Sequence, residues 1–409
     1  MKYLDIFLRD EDRMLQEQVR KFVDAEIMPY RQQLDDDEDH VIVHQILKGL
    51  FDMGLHLRYF PAAYGGCSDQ STFVSNSIML EEIARGDSGI AVAFSCVGWA
   101  FQPAVLARNK AILEKFVPLY TGKEVRLACF NMTEPGGSHG GGGCDIENPT
   151  LHGRTIRTIA RLEGDEWVIN GQKLWATNSG VSDLYCTVCT TDPNAGDKGI
   201  ALIYIPHPTP GMTFGKFERK TGMNADRNCA TFLTDVRVPR EYRASEEGKD
   251  AELFHLNLVT GRLGGAAMAV GNAQGAFERV LEYTGERIVA GRPIRQHSIA
   301  AGMLADMAMG IETARMYYLA AAYMMDNHRK FGGLRSNYIL SRVSLAKVYA
   351  AEVAVMVTNK AMELMGSYGY VRDYDVEKYW RDCKIIQLWE GGAQLGRFDI
   401  CRGYYDCNL

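Results

Sequence analysis

The chain has 409 residues, 46% of them hydrophobic, with 45 Lys+Arg against 51 Asp+Glu and a formal net charge of −6. That is enough apolar material for a core divided over two or three domains. Charge is mixed and no Lys/Arg block stands out, so there is no electrostatic footprint for nucleic acid. The longest apolar runs are broken by Gly, Ser or charge before they could span a bilayer. The opening Met1-Lys2-Tyr3-Leu4-Asp5 has neither the apolar stretch of a signal peptide nor the Arg/Ser bias of a transit peptide, so a cytoplasmic protein is expected.

Residues 1–125 read as helical. Asp10-Glu11-Asp12 opens a run with apolar Met14, Val19, Phe22 and Val23 that ends near Pro29. Further helical runs cover 41–53 and 73–84, the second ending at Arg85-Gly86-Asp87. Residues 90–107 are apolar enough for a buried helix, with Pro103 as a kink or break. From about 126 the period changes. Runs at 155–162 and 166–169 flank Glu163-Gly164-Asp165 as a β-hairpin. Strand-like runs follow at 183–191, 199–205, 212–217 and 230–238, punctuated by Pro206, Pro208, Pro210 and Pro239, a spacing that fits a compact barrel or sandwich. Cys186 and Cys189 form a Cys-x-x-Cys within one of these runs. Positions three apart on a strand face opposite ways, and no second pair completes a zinc site.

Residues 246–409 hold a single proline, Pro293, and long helical patterns. Met303, Met307, Ile311, Ala314 and Tyr318 recur at steps of three and four, and another pattern runs over 334–365. Helices of about 30 residues reach roughly 45 Å, and several make an antiparallel bundle. The expected fold class is α+β multidomain: an N-terminal helical domain (1–125), a middle β-barrel-like domain (126–245) and a C-terminal four-helix bundle (246–409).

Three stretches carry chemistry. The first is Met132-Thr133-Glu134-Pro135-Gly136 and the glycines after it, six in the eight residues 136–143. Their N–H groups can face an anion or a flat ring, although no Gly-Lys-Ser/Thr follows as in a P-loop. A surface loop is the simpler reading of glycines alone. The second stretch runs from Asn170 to Asn178. Trp175 and Thr177, two apart on a strand, would share one face, the indole against a planar ring and the hydroxyl on a ring heteroatom. Alternatively Trp175 is a core residue. The third is Ile385-Ile386-Gln387-Leu388-Trp389-Glu390-Gly391-Gly392. Apolar neighbours raise a carboxyl pKa towards neutrality, where it works as a general base. The motif by itself fits a helix end with a solvated Glu390 better.

Taken together, these motifs resemble those of the acyl-CoA dehydrogenase family, over nearly the whole chain. The residues that carry the resemblance are Phe130 to Gly136, Asn170 to Asn178, Asp235-Val236-Arg237-Val238-Pro239, Glu286-Arg287, Leu304-Ala305-Asp306-Met307, Gly366-Ser367-Tyr368-Gly369-Tyr370 and Arg381-Asp382-Cys383-Lys384-Ile385, followed by Glu390-Gly391. The resemblance implies FAD held between the β-domain and the bundle. Phe130, Met132, Thr133, Trp175 and Thr177 would line the isoalloxazine. Arg287 would meet the FAD pyrophosphate of a neighbouring subunit in a homotetramer, and Gln394 and Gly392 would lie near the cofactor. Glu390 falls where many members place the base that removes the α-proton of the thioester while hydride leaves Cβ. Its backbone N–H would help to bind the thioester oxygen. An electron-transferring flavoprotein is the implied acceptor. Arg262 matches a family arginine near the CoA and base; a structural ion pair is as good a reading of it.

The chain departs from the family pattern at several places. Cys144 follows a glycine insertion where the phosphate-side turn is usual, and Ala290, Ser298, Glu363 and Ser367 replace usual adenine-side residues. Ala91 and Ser95 occupy positions expected to line the acyl pocket, beside Trp389 and Gly391. The absence of an arginine at Ala91 argues against a glutaryl group. Small walls opposite a tryptophan fit a bulky, branched or aromatic acyl group, such as the benzylsuccinyl-CoA of anaerobic aromatic degradation. Competing readings are an acyl-CoA oxidase of the same fold, a non-catalytic nucleic-acid-binding member, and a base placed elsewhere.

Overall fold

The computed structural model describes residues 6–135 and 156–405. Five helices come first: α1 (Asp10–Glu26), α2 (Val41–Asp52), α3 (Phe73–Gly86), α4 (Ser88–Ala107) and α5 (Lys110–Tyr120). Local chemistry sets their starts. Thr72 Oγ1 accepts from Ser75 N at 3.0 Å while Ser75 Oγ accepts from Thr72 N at 2.9 Å, a reciprocal cap for α3. Asp87 Oδ1 caps α4 by accepting from Ile90 N at 2.9 Å. By length and composition α4 is apolar enough to cross a membrane, contrary to the expectation from broken apolar runs. It is largely buried, however, between α3, the later helix Asp250–Glu286 and the strand Ala128–Asn131. Pro103 sits inside it without ending it.

The middle region is one curled sheet of seven strands among the described residues: β1 (Ala128–Asn131), β2 (Ile159–Glu163), β3 (Glu166–Lys173), β4 (Leu184–Thr190), β5 (Ile200–Pro206), β6 (Met212–Phe214) and β7 (Thr231–Pro239), in the order β1-β4-β2-β3-β7-β6 with β5 on β4. The hairpin of β2 and β3 turns at Gly164-Asp165, with Glu163 paired to Glu166. All seven residues of β4 are buried, so Cys186 and Cys189 both lie in the core, unbonded to one another.

The C-terminal bundle comprises α6 (Asp250–Glu286), α7 (Ser298–Asp326), α8 (Asn337–Met365), α9 (Val376–Leu388) and α10 (Gly392–Tyr405), with a two-stranded ribbon of β8 (Ile288–Val289) and β9 (Arg292–Pro293) between α6 and α7. Its faces join α3 and α4 in one apolar core that includes Met79, Ile83, Val259, Leu263, Met307 and Val357. A second core lies between α4, α5 and the sheet.

One ionic cluster ties the three regions together at α9. Lys378 Nζ lies 2.7 Å from both Asp87 Oδ2 and Asp382 Oδ2, and Asp382 Oδ1 accepts from Met223 N of the middle region. Arg31 Nε pairs with Asp375 Oδ2 at 2.7 Å, and Arg381 joins Asp35 to Glu377. The residue that ends α9 is Leu388, two before Glu390.

Candidate active site

A cavity of about 1220 Å³ is walled by all three regions. Its sheet-side wall carries Phe130, Met132, Thr133, Trp175 and Thr177. The loop after β1 is held by Glu134, which is buried. Its carboxylate accepts from Lys173 Nζ (2.7 Å), Thr158 Oγ1 (2.7 Å), Thr158 N (2.9 Å) and Arg157 N (2.7 Å). Burial alone would raise its pKa, but the Lys173 ammonium and the Thr158 donors outweigh that and hold it below the ordinary carboxylate range. Lys173 also donates to Met132 O at 3.0 Å, and Leu174 N to Thr133 O at 2.7 Å.

The strand expectation for Trp175 and Thr177 needs correction. β3 stops at Lys173, and Trp175 has a left-handed backbone with φ +57. The two residues share the cavity because the loop after β3 presents them, not because a strand alternates. Asp226 and Asn228 hold that loop. Asp226 accepts from Thr177 Oγ1 (3.2 Å) and Asn178 N (3.0 Å), and Asn228 Nδ2 donates to Trp175 O (2.9 Å). Glu134 and Lys173 stood inside the motifs already quoted, as partners rather than contacts. Asp226 and Asn228 gave no sequence signal.

On the helical wall the chain leaves α9 at Trp389, and Glu390, Gly391 and Gly392 follow with φ of +55, +85 and +66. For Glu390 this left-handed conformation costs about 1–2 kcal/mol. The turn sets its side chain against α6, where two glycines leave room. A Cβ on Gly261 would overlap Glu390 Oε1, and one on Gly265 would stand 3.9 Å from Glu390 Oε2 and 3.2 Å from Trp389 Nε1. Glu390 as a residue is half-buried, but Oε2 is sealed from solvent and has no hydrogen-bond partner. Burial pushes its carboxyl up to about 7, against the opposing pull of Lys347 and Arg262. Lys347 Nζ also donates to Trp389 O at 3.0 Å, which pins the turn.

Trp389, Gly391 and Ser95 line the cavity; Ala91 does not. Ala91 is fully buried in the helical core, and α4 turns Val92, Ser95, Cys96 and Trp99 to the cavity instead. Its identity therefore says nothing about the charge of an acyl pocket. Arg262 is also behind the wall. Its Nη1 donates to Ser344 Oγ at 2.7 Å and pairs with Asp399, so the ion-pair reading holds and it reaches Glu390 through its charge alone. Arg287, Ser298, Glu363, Ser367 and Gln394 are exposed on the bundle, Gly392 is half-buried, and none of them lines the cavity. Cys144 and the glycines at 136–143 lie outside the described residues.

Comparison with known proteins accounts for this arrangement. Models of the acyl-CoA dehydrogenase N-terminal, middle and C-terminal domains match residues 9–122, 129–236 and 252–404. Cyclohex-1-ene-1-carbonyl-CoA dehydrogenase of Syntrophus aciditrophicus (strain SB) is 34% identical, over 95% of this chain and 89% of its own. Among solved structures, butyryl-CoA dehydrogenase from Megasphaera elsdenii superposes with a TM-score of 0.85 at 29% identity, over 97% of this chain and 98% of its own. A glutaryl-coenzyme A dehydrogenase complexed with glutaryl-CoA does so with a TM-score of 0.86 at 29% identity, over 98% of this chain and 96% of its own. The chain belongs to the acyl-CoA dehydrogenase family, flavoprotein oxidoreductases that act on acyl-CoA thioesters.

Proposed function

We propose that this enzyme dehydrogenates an acyl-CoA at Cα–Cβ with Glu390 as the base. The observation that carries the reading is the Glu390 carboxylate: desolvated, without a hydrogen-bond partner at Oε2, raised to about 7, and facing a cavity large enough for a cofactor and an acyl chain. The sheet-side wall fits a flavin. Trp175 is 57% exposed although it borders the cavity, which leaves an indole face open to a planar ring. Phe130, Met132, Thr133, Trp175 and Thr177 would hold FAD, which when bound supplies the acceptor for the hydride.

The chain's own residues do the rest. Glu390 takes the α-proton, and its raised pKa makes it a stronger base than a solvated carboxylate. The Glu390 N–H has no acceptor among the described residues and is free to donate to the thioester oxygen as negative charge develops there. Trp389 borders the cavity with its indole near the carboxylate and keeps water from it. The acyl group is bulky, branched or aromatic, with benzylsuccinyl-CoA as the leading example. Support comes from the name of the Syntrophus relative, which specifies a cyclic acyl group.

The working form is a cytoplasmic homotetramer that passes electrons to an electron-transferring flavoprotein. Ile299 and Tyr370, 80% and 82% exposed beside Ser298 and Ser367, are apolar surface suited to a subunit contact. In that assembly Arg287 and its neighbours would reach the adjacent subunit's cofactor. Anaerobic titration of the yellow protein with a panel of thioesters tests the reading. Aryl- or alkylsuccinyl-CoA should bleach the flavin band. Bleaching by straight-chain thioesters alone would overturn the substrate, and no bleaching by any thioester would overturn the reaction.

A further inference from the structure

Arg58 lies in the turn Leu55–Tyr59 and lines the cavity together with its neighbour Tyr59. Its Nε donates to Asn76 Oδ1 at 2.9 Å and its Nη2 to Ser75 Oγ. Both acceptors are neutral, and Nη1 has none. The four fully buried arginines among the described residues each meet a carboxylate, Arg31 at Asp375, Arg85 at Glu82, Arg262 at Asp399 and Arg315 at Glu81, as does the half-buried cavity residue Arg381 at Asp35. Arg58 has no such carboxylate, and burial pushes its pKa down. Tyr59 OH is also sealed from solvent without a hydrogen-bond partner. Of the two, only the Arg58 guanidinium opens to the cavity, with Nη1 lacking an acceptor and no carboxylate paired to it among the described residues. Ser68, Ser71, Asn76 and Ser77 line the same cavity, as does Asp326, which accepts from Phe73 N (2.7 Å) and Val74 N (3.1 Å) while burial still pushes its carboxyl pKa up.

The path from Glu390 to this group runs along α3. Leu80 Cδ1 would lie 3.4 Å from a Cβ on Gly264, a neighbour of the Gly261 and Gly265 that seat Glu390. Asn76, the partner of Arg58, is about one helical turn before Leu80. One end of an acyl chain would thus meet the base and the other the guanidinium.

We propose that Arg58 receives a second carboxylate on the acyl group, so that the preferred substrates are monothioesters of dicarboxylic acids. This rests on the reading that the cavity takes an acyl thioester. Arylsuccinyl groups belong to the class. Arg58 is a specificity residue here, since it touches the substrate away from the reacting carbons.

The test compares succinyl-, adipyl- and suberyl-CoA with butyryl-, hexanoyl- and octanoyl-CoA, pairs of equal carbon count. Equilibrium binding to the flavin-loaded Glu390→Gln enzyme avoids turnover. At least one dicarboxylic member should bind about tenfold or more tightly than its neutral partner. Arg58→Met should erase that preference while leaving the neutral thioester's affinity unchanged, which also reports an intact fold. Arg58→Lys should restore part of it, and in the enzyme with Glu390 the loss should fall on KM more than on kcat. No preference in any pair, or a preference that survives Arg58→Met, overturns the proposal. A preference without flavin bleaching by any thioester in the wild type overturns the dehydrogenation reading and leaves this one standing. Bleaching without a preference does the reverse.

Discussion

Glu134 backs the sheet-side wall of the cavity and Glu390 fronts the helical one. Both lose water on folding, yet they end in opposite states. Four donors surround Glu134, one of them the Lys173 ammonium, and its pKa is lowered. Glu390 Oε2 has no donor, and the nearest cations act from a distance through Lys347 and Arg262. A satisfied carboxylate is a fastener; one left short of partners can hold and release a proton. Burial is common to both, so the donor set decides the role.

The sharpest way to break this contrast is to neutralise each acid in turn. Glu390→Gln should lower the rate of flavin reduction by a thioester by about a thousandfold while leaving flavin content unchanged; full activity would move the base elsewhere. Lys173→Met strips Glu134 of its cation and should cost about 3–5 kcal/mol of stability, read as a fall in Tm with loss of bound flavin. A variant as stable as the wild type would show that the donors from Thr158 and Arg157 suffice. A subtler change leaves both carboxylates in place. Gly261→Ala pushes a methyl group into Glu390 Oε1 and should slow reduction by about a hundredfold with little change in Tm.

The smallest effects follow pH. Reduction should rise with pH through about 7 as Glu390 becomes a carboxylate. Stability runs the other way at this residue. Its pKa is raised on folding from the ordinary 4.5, so the folded chain keeps a proton that the unfolded chain has lost. Its contribution is present below about 4.5 and is lost as pH rises through about 7. The Tm of Glu390→Gln should therefore gain on the wild type across that window and level off above it. Glu134, lowered on folding, contributes above the ordinary carboxylate pKa and loses that contribution as pH falls.

Much of this site was legible in the sequence because its residues fall within contiguous motifs. The hairpin at Gly164 needed only local reading, whereas Glu390 and Thr133 acquired roles only through the family resemblance of the motifs taken together. Ala91 was placed by family position, and α4 is apolar almost all round, so its sequence offered no check: Ser95 faces the cavity as expected, while Val92 rather than Ala91 lies on that face. Trp175 and Thr177 share the cavity wall by a route other than strand alternation, since a left-handed residue after Lys173 ends the alternation that the expectation assumed. Arg262 finds Asp399 across 137 positions of sequence, and the half-buried Arg58 stands out only once the buried arginines have been given their carboxylates. Neither fact has a local signature.

The cluster around Lys378 bears on how such a chain can be inherited. The three matched segments look interchangeable between relatives, one module at a time. Yet the ammonium of Lys378 draws its counter-charges from the first segment at Asp87 and the third at Asp382, and Asp382 in turn holds a backbone N–H of the second. A hybrid that imported one segment without carboxylates at Asp35 and Asp87 to match Lys378 would strand a charge under the helix that leads to Glu390. Recombination at the segment borders is thus constrained by electrostatics, and these positions should change together or not at all.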